Sequence, residues 1–171
     1  MARRGPQPPP GHRYSHSTTK LSTHQLTYPQ IGRAVAALLS LPISPEEPNS
    51  KACLANFQNQ MIYISSFTIS QREMLESAMR VTDTRQSDWT VTKEPSHERY
   101  ATGLKQIKKG ERVGFAKMLY TRVWYPDGSG NFEENKGTIN DLLGLPKEDL
   151  DEATRAAMKR VDVDVWAGRS G

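Results

Sequence analysis

Residues 62–130 constrain the fold of this chain most, because strand and helix patterns alternate along them. Met61–Ile64 is a short apolar run rich in β-forming residues, and together with Phe67 it predicts a mostly buried strand. Ser70 and Glu73 follow with the S-x-x-E spacing of a capping box, in which each residue satisfies a backbone N–H of the other. A helix is therefore predicted directly after the strand.

The same alternation continues along the chain. Trp89 and Val91 alternate with threonines, which predicts a half-exposed strand. A helix is predicted from Ser96 onward, and Gly110 is placed to end it. Alternating strands and helices are typical of an α/β fold.

The segment Val113–Tyr125 is apolar or aromatic on nearly all sides when drawn as a helix. Such a helix is expected between two layers or beside a ligand cavity. Two interpretations stay open for its aromatic side chains: they form core, or they bind a flat aromatic substrate. The candidate substrate-binding residues are Phe115, Tyr120, Trp124 and Tyr125.

Three further helices are predicted outside this region. The first is Gln30–Leu41, which has an apolar face and is stopped by Pro42. A short helix is predicted over Thr138–Leu143, and the last helix is expected to have Pro146 in its first turn.

Three segments are expected from the composition. Residues 1–28 are rich in Pro, Ser and Thr and predict a disordered basic leader. Residues 29–163 form the folded part, and residues 164–171 are expected to be a frayed tail.

Charge and composition exclude several classes of function. Of 23 basic residues, five precede the first acidic one, Glu46, which leaves 18 basic residues against 19 acidic ones. The body of the chain is thus nearly neutral, and no nucleic-acid partner is predicted. No apolar run has the roughly 18 residues of a membrane span. The single Cys53 excludes an internal disulfide, and a reduced cytoplasmic setting is expected.

No catalytic or metal-binding constellation is predicted. Ser96, His97 and Asp88 are close in sequence, but no G-x-S-x-G elbow accompanies them. The histidines of the leader lack partners at ligand spacing, as in H-E-x-x-H; they are His12, His16 and His24.

Several segments resemble the C-terminal part of NmrA-like, isoflavone-reductase-like proteins, which are atypical short-chain dehydrogenase relatives common in fungi. The resemblance covers about Pro29 to Val161. The matching segments are Ile31–Leu39 (IGRAVAALL), Tyr63–Gln71 (YISSFTISQ), Trp89–Val91 (WTV), Phe115–Tyr120 (FAKMLY), Tyr125–Gly130 (YPDGSG) and Gly144–Pro146 (GLP).

This resemblance implies the C-terminal part of an NAD(P)-binding Rossmann-like fold. It also implies an NADP-dependent oxidoreductase that acts on small aromatic substrates in secondary-metabolite biosynthesis. The family's glycine-rich coenzyme turn has no counterpart in this sequence, so the N-terminal nucleotide-binding half is expected to be missing. No catalytic or cofactor-binding residue is carried over, and the chain alone is expected neither to hold NADP nor to turn over substrate.

Two alternatives to the enzyme stay open. Some NmrA-like proteins are non-enzymatic, dinucleotide-sensing regulators that bind transcription factors. The chain could also be a non-functional fragment of a truncated gene. In that case an uncovered sheet edge predicts self-association.

Overall fold

The structure, a computed structural model, describes residues 13–16, 21–47 and 50–161. These residues form an α/β arrangement of four short strands and six α-helices. The strands are β1 Arg13–His16, β2 Ser22–Gln25, β3 Phe67–Ser70 and β4 Thr90–Lys93. The helices are α1 Tyr28–Leu39, α2 Gln71–Thr82, α3 Ser96–Lys108, α4 Arg112–Arg122, α5 Phe132–Lys136 and α6 Leu150–Val161. Within the described ranges, every helix is too short or too polar to cross a membrane.

The strands form two separate pairs. β1 and β4 are parallel, with Arg13 opposite Thr90, and their connection contains α1, β3 and α2. β2 and β3 are antiparallel, with Ser22 opposite Ser70. A parallel pair with helices in the crossover is the building unit of α/β folds, which agrees with the predicted class.

Two segments of the expected leader, Arg13–His16 and Ser22–Gln25, form β1 and β2. β2 is held by a distant turn, because the backbone N–H of His24 donates to the carbonyl of Gly130 over 2.9 Å. The hydroxyl of Thr23, which is buried, donates to the same oxygen. A partner more than 100 residues away leaves no trace in local composition. Residues 1–12 and 17–20 of the predicted leader and the predicted frayed tail lie outside the described residues.

The strand predicted at Met61–Ile64 is also displaced, since the chain enters a strand only at Phe67. The carbonyl of Tyr63 accepts a hydrogen bond from the backbone N–H of Ile139 over 3.0 Å. Asn140 bonds both backbone groups of the nearby Ser65. These backbone groups are thus satisfied by a loop instead of a neighbouring strand.

The core of the described region lies between α2 and β4. Leu75, Ala78 and Trp89 are buried together, and Met79 and Val91 pack against them. The indole N–H of Trp89 donates to a threonine hydroxyl over 2.7 Å, so the ring is buried without a lost hydrogen bond. This small cluster fixes the helix against the strand.

The capping box at the start of α2 is confirmed. The Glu73 carboxylate accepts from the backbone N–H of Ser70 over 2.7 Å, and the Ser70 hydroxyl accepts from the N–H of Glu73 over 3.3 Å. α2 starts at Gln71, directly after Ser70, as the S-x-x-E spacing predicts.

A polar cluster joins α2 to α6. Arg80 donates two hydrogen bonds to the Asp151 carboxylate, over 2.8 and 2.7 Å, and the buried Ser77 hydroxyl donates a third over 2.7 Å. The Arg80 guanidinium, followed by Ser77, lowers the pKa of Asp151 to about 2. The charged carboxylate is therefore the form that stabilises this contact.

Replacing Asp151 by Asn is expected to lower stability at neutral pH and to matter less in acid. The folded pKa lies below the ordinary value of 3.8, so the stabilisation is complete above that value and is lost as the pH falls toward 2. Urea unfolding midpoints of both proteins should converge between about pH 4 and pH 2. An equal gap between them at both ends of that range would contradict the assignment.

Two predictions near the C-terminus are wrong. Thr138–Leu143 forms no α-helix, and a turn covers residues 140–144 instead, because the Asn140 side chain and the Ile139 N–H bond the 63–65 segment. Pro146 precedes α6 and does not lie in its first turn. The Asp149 side chain accepts from the backbone N–H of Glu152 over 2.8 Å, and this cap fixes the start of the helix.

Candidate functional site

The aromatic segment forms one arm of a helical hairpin. α3 and α4 are joined by a short turn in which Gly110 has a φ of +79°, as expected for a residue that ends a helix. The two helices touch at Gly103 and Gly114. A Cβ on Gly114 would lie 2.6 Å from the Gly103 carbonyl oxygen, so only glycine allows this approach. We call α3, the turn and α4 the hairpin.

The open end of the hairpin contains an aromatic and cationic cluster. The rings of Tyr100 and Tyr125 meet edge to face with centroids 5.6 Å apart. The guanidinium of Arg122 lies over the Tyr125 ring, 4.7 Å from its centroid. We call these three residues the tyrosine–arginine cluster. A flat ring and a fixed cation are the groups that recognise planar, electron-rich ligands.

A turn after α4 orients the cation. Arg122 pairs with Asp127 over 2.8 Å and donates to the Ser129 hydroxyl. The Asp127 carboxylate also accepts from the Ser129 backbone N–H over 3.0 Å. The Arg122 guanidinium, followed by the Ser129 hydrogen bonds, holds the pKa of Asp127 well below its usual range. The ion pair therefore persists in mild acid and keeps Arg122 over the ring.

The four predicted substrate residues do not converge. Tyr125 joins the cluster and Trp124 is half-buried beside it in sequence. Phe115 and Tyr120 point to solvent and are 57% and 71% exposed. The prediction that α4 lies between layers is thus wrong. The core interpretation is also wrong for these two rings.

Phe115 and Tyr120 are exposed because of the way the hairpin packs. Its closest packing is between α3 and α4 themselves, and the buried positions of α4 are Gly114 and Thr121, which are small. The large side chains fall on the opposite side of the helix. Arg122, which completes the cluster, was missed because a single arginine among apolar residues carries no motif. The only sequence feature that indicates a role for Arg122 in the cluster is its position three residues before Tyr125.

The described helices that follow strands each have a carboxylate at or beside the N-terminus. Glu73 closes the capping box of α2, and Glu98 lies in the first turn of α3. At α1 the N-cap Thr27 donates its hydroxyl to Glu148 over 2.7 Å. A helix N-terminus binds phosphate through free N–H groups and a positive dipole, and a carboxylate there opposes both. These three turns therefore do not fit the pyrophosphate of a nicotinamide coenzyme.

Glu148 is a structural anchor. Burial favours its neutral form, but hydrogen bonds from Ser66, Thr27 and Arg33 outweigh this effect and hold the pKa below the ordinary value. Arg33 approaches within 2.8 Å. A carboxylate with several donors and a lowered pKa is a poor general base at neutral pH.

The remaining candidate groups are also used structurally. The His24 ring stacks on Phe132 with centroids 5.6 Å apart, and its Nδ1 lies 2.9 Å from the Phe132 backbone nitrogen. Cys53 is fully buried. Among the described residues, no group of three or more His, Cys, Asp or Glu side chains is placed to hold a metal ion.

A separate open groove of about 410 Å³ lies at the C-terminal end of α2. Met79, Thr84 and Gln86 line it together with several charged side chains. Its Arg80 is already paired with Asp151, and the aromatic candidates take no part in its walls. The groove therefore adds nothing to the aromatic site.

Comparison with known proteins gives one distant similarity. No protein-family model matches the chain, and no solved structure matches it. The chain is 22% identical to Oxidoreductase aprR of Aspergillus flavus over 101 residues. This alignment covers 59% of the chain and 33% of that protein, so the chain spans about a third of its relative's length. The chain is thus distantly related to an oxidoreductase.

Proposed function

We propose that this chain is the substrate-side part of an NADP-dependent oxidoreductase of the NmrA-like type, which acts on small aromatic metabolites. The observation that carries the proposal is the tyrosine–arginine cluster, found on a chain with a distant oxidoreductase relative. A half-buried phenol ring beneath a guanidinium offers one wall for a planar substrate. The segments that resemble the family include Tyr125 itself.

The proposal gives the described residues no part in coenzyme binding. A carboxylate from Glu148 lies at the N-cap of α1, and the first turns of α2 and α3 contain Glu73 and Glu98, so all three helix starts have a carboxylate that opposes pyrophosphate binding. Hydride transfer requires a nicotinamide held against the substrate, so the described residues bind and orient the substrate only. No catalytic residue is proposed among them.

A second candidate function is a non-enzymatic regulator that binds a protein partner. The large apolar side chains that α4 exposes favour it, since exposed apolar patches mark interaction sites. Reductase activity of a full-length relative with its coenzyme would favour the first function. A stable complex of the chain with a partner protein, together with no such activity in the full-length relative, would favour the second.

Ligand binding by the isolated chain tests the substrate wall. We expect 2-naphthol, a flat phenol, to quench tryptophan fluorescence saturably, and Tyr125→Ala to weaken its binding about tenfold because the stacking surface is lost. Tyr28→Ala is the matched control, since Tyr28 also lies under an arginine, Arg160, but belongs to α1. Equal loss of 2-naphthol affinity in both variants, or an unchanged affinity in the Tyr125→Ala variant, would contradict the proposed substrate wall.

A further inference from the structure

The outer face of α4 is an apolar surface that the described residues leave uncovered. The outer face consists of four residues that recur at three- and four-residue steps on the side opposite Gly114. They are Ala116, Leu119, Tyr120 and Val123. All four are exposed, and Tyr120 most of all. Side chains at this spacing form ridges and grooves into which the side chains of a second helix pack.

Positive charge is concentrated in the hairpin that carries this face. From Gly103 to Val123 the sequence has six basic residues and one acidic residue, Glu111. Arg112 precedes Leu119 by seven residues and Lys117 precedes Tyr120 by three, so both flank the outer face. Within the described ranges, two basic residues of the hairpin form ion pairs, Arg99 with Glu94 and Arg122 with Asp127. Its other basic residues form none; they are Lys105, Lys108, Lys109, Arg112 and Lys117.

This charge decides between the possible partners. A symmetric dimer through two outer faces would bring two basic rims together, which opposes association. A partner must therefore bring its own carboxylates next to an apolar stripe. An amphipathic helix with acidic flanks has this chemistry, and its ridges match the three- and four-residue spacing of the exposed side chains of α4.

We propose that the outer face of α4 is the docking surface for an acidic amphipathic helix of a partner protein. The apolar stripe of that helix packs over Ala116, Leu119 and Tyr120. Its carboxylates pair with Arg112 and Lys117, which flank that stripe. This surface is separate from the tyrosine–arginine cluster, so the proposal goes beyond the substrate wall.

Fluorescence anisotropy with two synthetic peptides tests the proposal on the full chain. One labelled peptide has leucines at helical spacing and glutamates elsewhere; its twin has lysines in place of the glutamates. We expect the acidic peptide to bind at least about tenfold more tightly than its twin, with affinity that falls as salt rises from about 0.05 to about 0.5 M. Equal binding of both peptides, or no binding, would overturn the proposal.

Paired variants locate the surface. Leu119→Ser with Tyr120→Ser should weaken the acidic peptide at least about tenfold. The matched control, Val35→Ser with Leu39→Ser, removes similarly exposed apolar side chains from α1 and should leave binding unchanged. All four side chains are exposed, and circular dichroism should show that both variants fold.

Two parallel assays test for other partners of the outer face, a second copy of the chain and a membrane. A dimer in sedimentation that is lost in the Leu119→Ser, Tyr120→Ser variant would assign the surface to a second copy. Binding to phosphatidylserine vesicles that this variant abolishes, together with no peptide binding, would assign it to a membrane. Either result would overturn the proposal of a partner helix.

Discussion

Replacing Trp89 by Ala is expected to remove a large part of the chain's free energy of unfolding, because this residue is the largest member of a very small core. Trp89 is 8% exposed and packs on Leu75 and Ala78. Truncating a buried tryptophan to alanine costs about 3–5 kcal/mol. A domain of this size has only about 5–15 kcal/mol of stability in total, so the loss is a large fraction of it. Urea unfolding followed by circular dichroism measures the change.

Trp89→Phe is the control for this prediction. It keeps most of the apolar contact but loses the indole N–H that donates to Thr84 over 2.7 Å. That change should cost about 1–2 kcal/mol. If Trp89→Ala cost no more than Trp89→Phe, the core would not lie between α2 and β4.

Replacing Gly114 by Ala is expected to loosen the hairpin. The new Cβ would lie 2.6 Å from the Gly103 carbonyl oxygen and 2.7 Å from the Ile107 backbone nitrogen. Backbone atoms cannot rotate away, so the helices must separate, at a cost of about 1–3 kcal/mol. The higher helix propensity of alanine offsets about 1 kcal/mol of this. A net loss of up to about 2 kcal/mol in urea unfolding is the expected result.

Gly32→Ala is the matched control, because Gly32 is also a helical glycine but has open space around its Cβ position. This variant gains helix propensity without a clash and should be more stable by up to about 1 kcal/mol. Stabilisation by both substitutions would mean that the two hairpin helices are not in close contact.

Features that depend on neighbouring residues could be predicted from the sequence. The capping box of Ser70 and Glu73 was one, since its partners are three residues apart and form wherever the helix forms. The turn at Gly110 was another, because a positive φ favours glycine. The order of strands and helices from β3 to α4 follows from such local signals.

Features that depend on distant partners could not be predicted. β2 forms because Thr23 and His24 bond Gly130, and no local pattern in a Ser- and Thr-rich segment indicates this. Met61–Ile64 has strand composition, yet the backbone beside it bonds Asn140. Tertiary hydrogen bonds therefore override the local preference.

The candidate site was only partly predictable for the same kind of reason. The aromatic content of α4 indicated either core or binding surface, but burial depends on how many layers surround a helix. α4 packs mainly on α3 through small residues, so Phe115 and Tyr120 remain exposed while Tyr125 contacts Tyr100. Composition identified the right helix but not the right partners.

Calorimetric titration of the chain with NADPH tests the central claim most directly. That claim is that carboxylates at the N-termini of α1, α2 and α3 leave no cradle for a pyrophosphate. The account predicts no saturable heat up to about 1 mM coenzyme, which corresponds to a binding free energy weaker than about −4 kcal/mol. Saturable binding with a dissociation constant near 1 μM, roughly −8 kcal/mol, would contradict it.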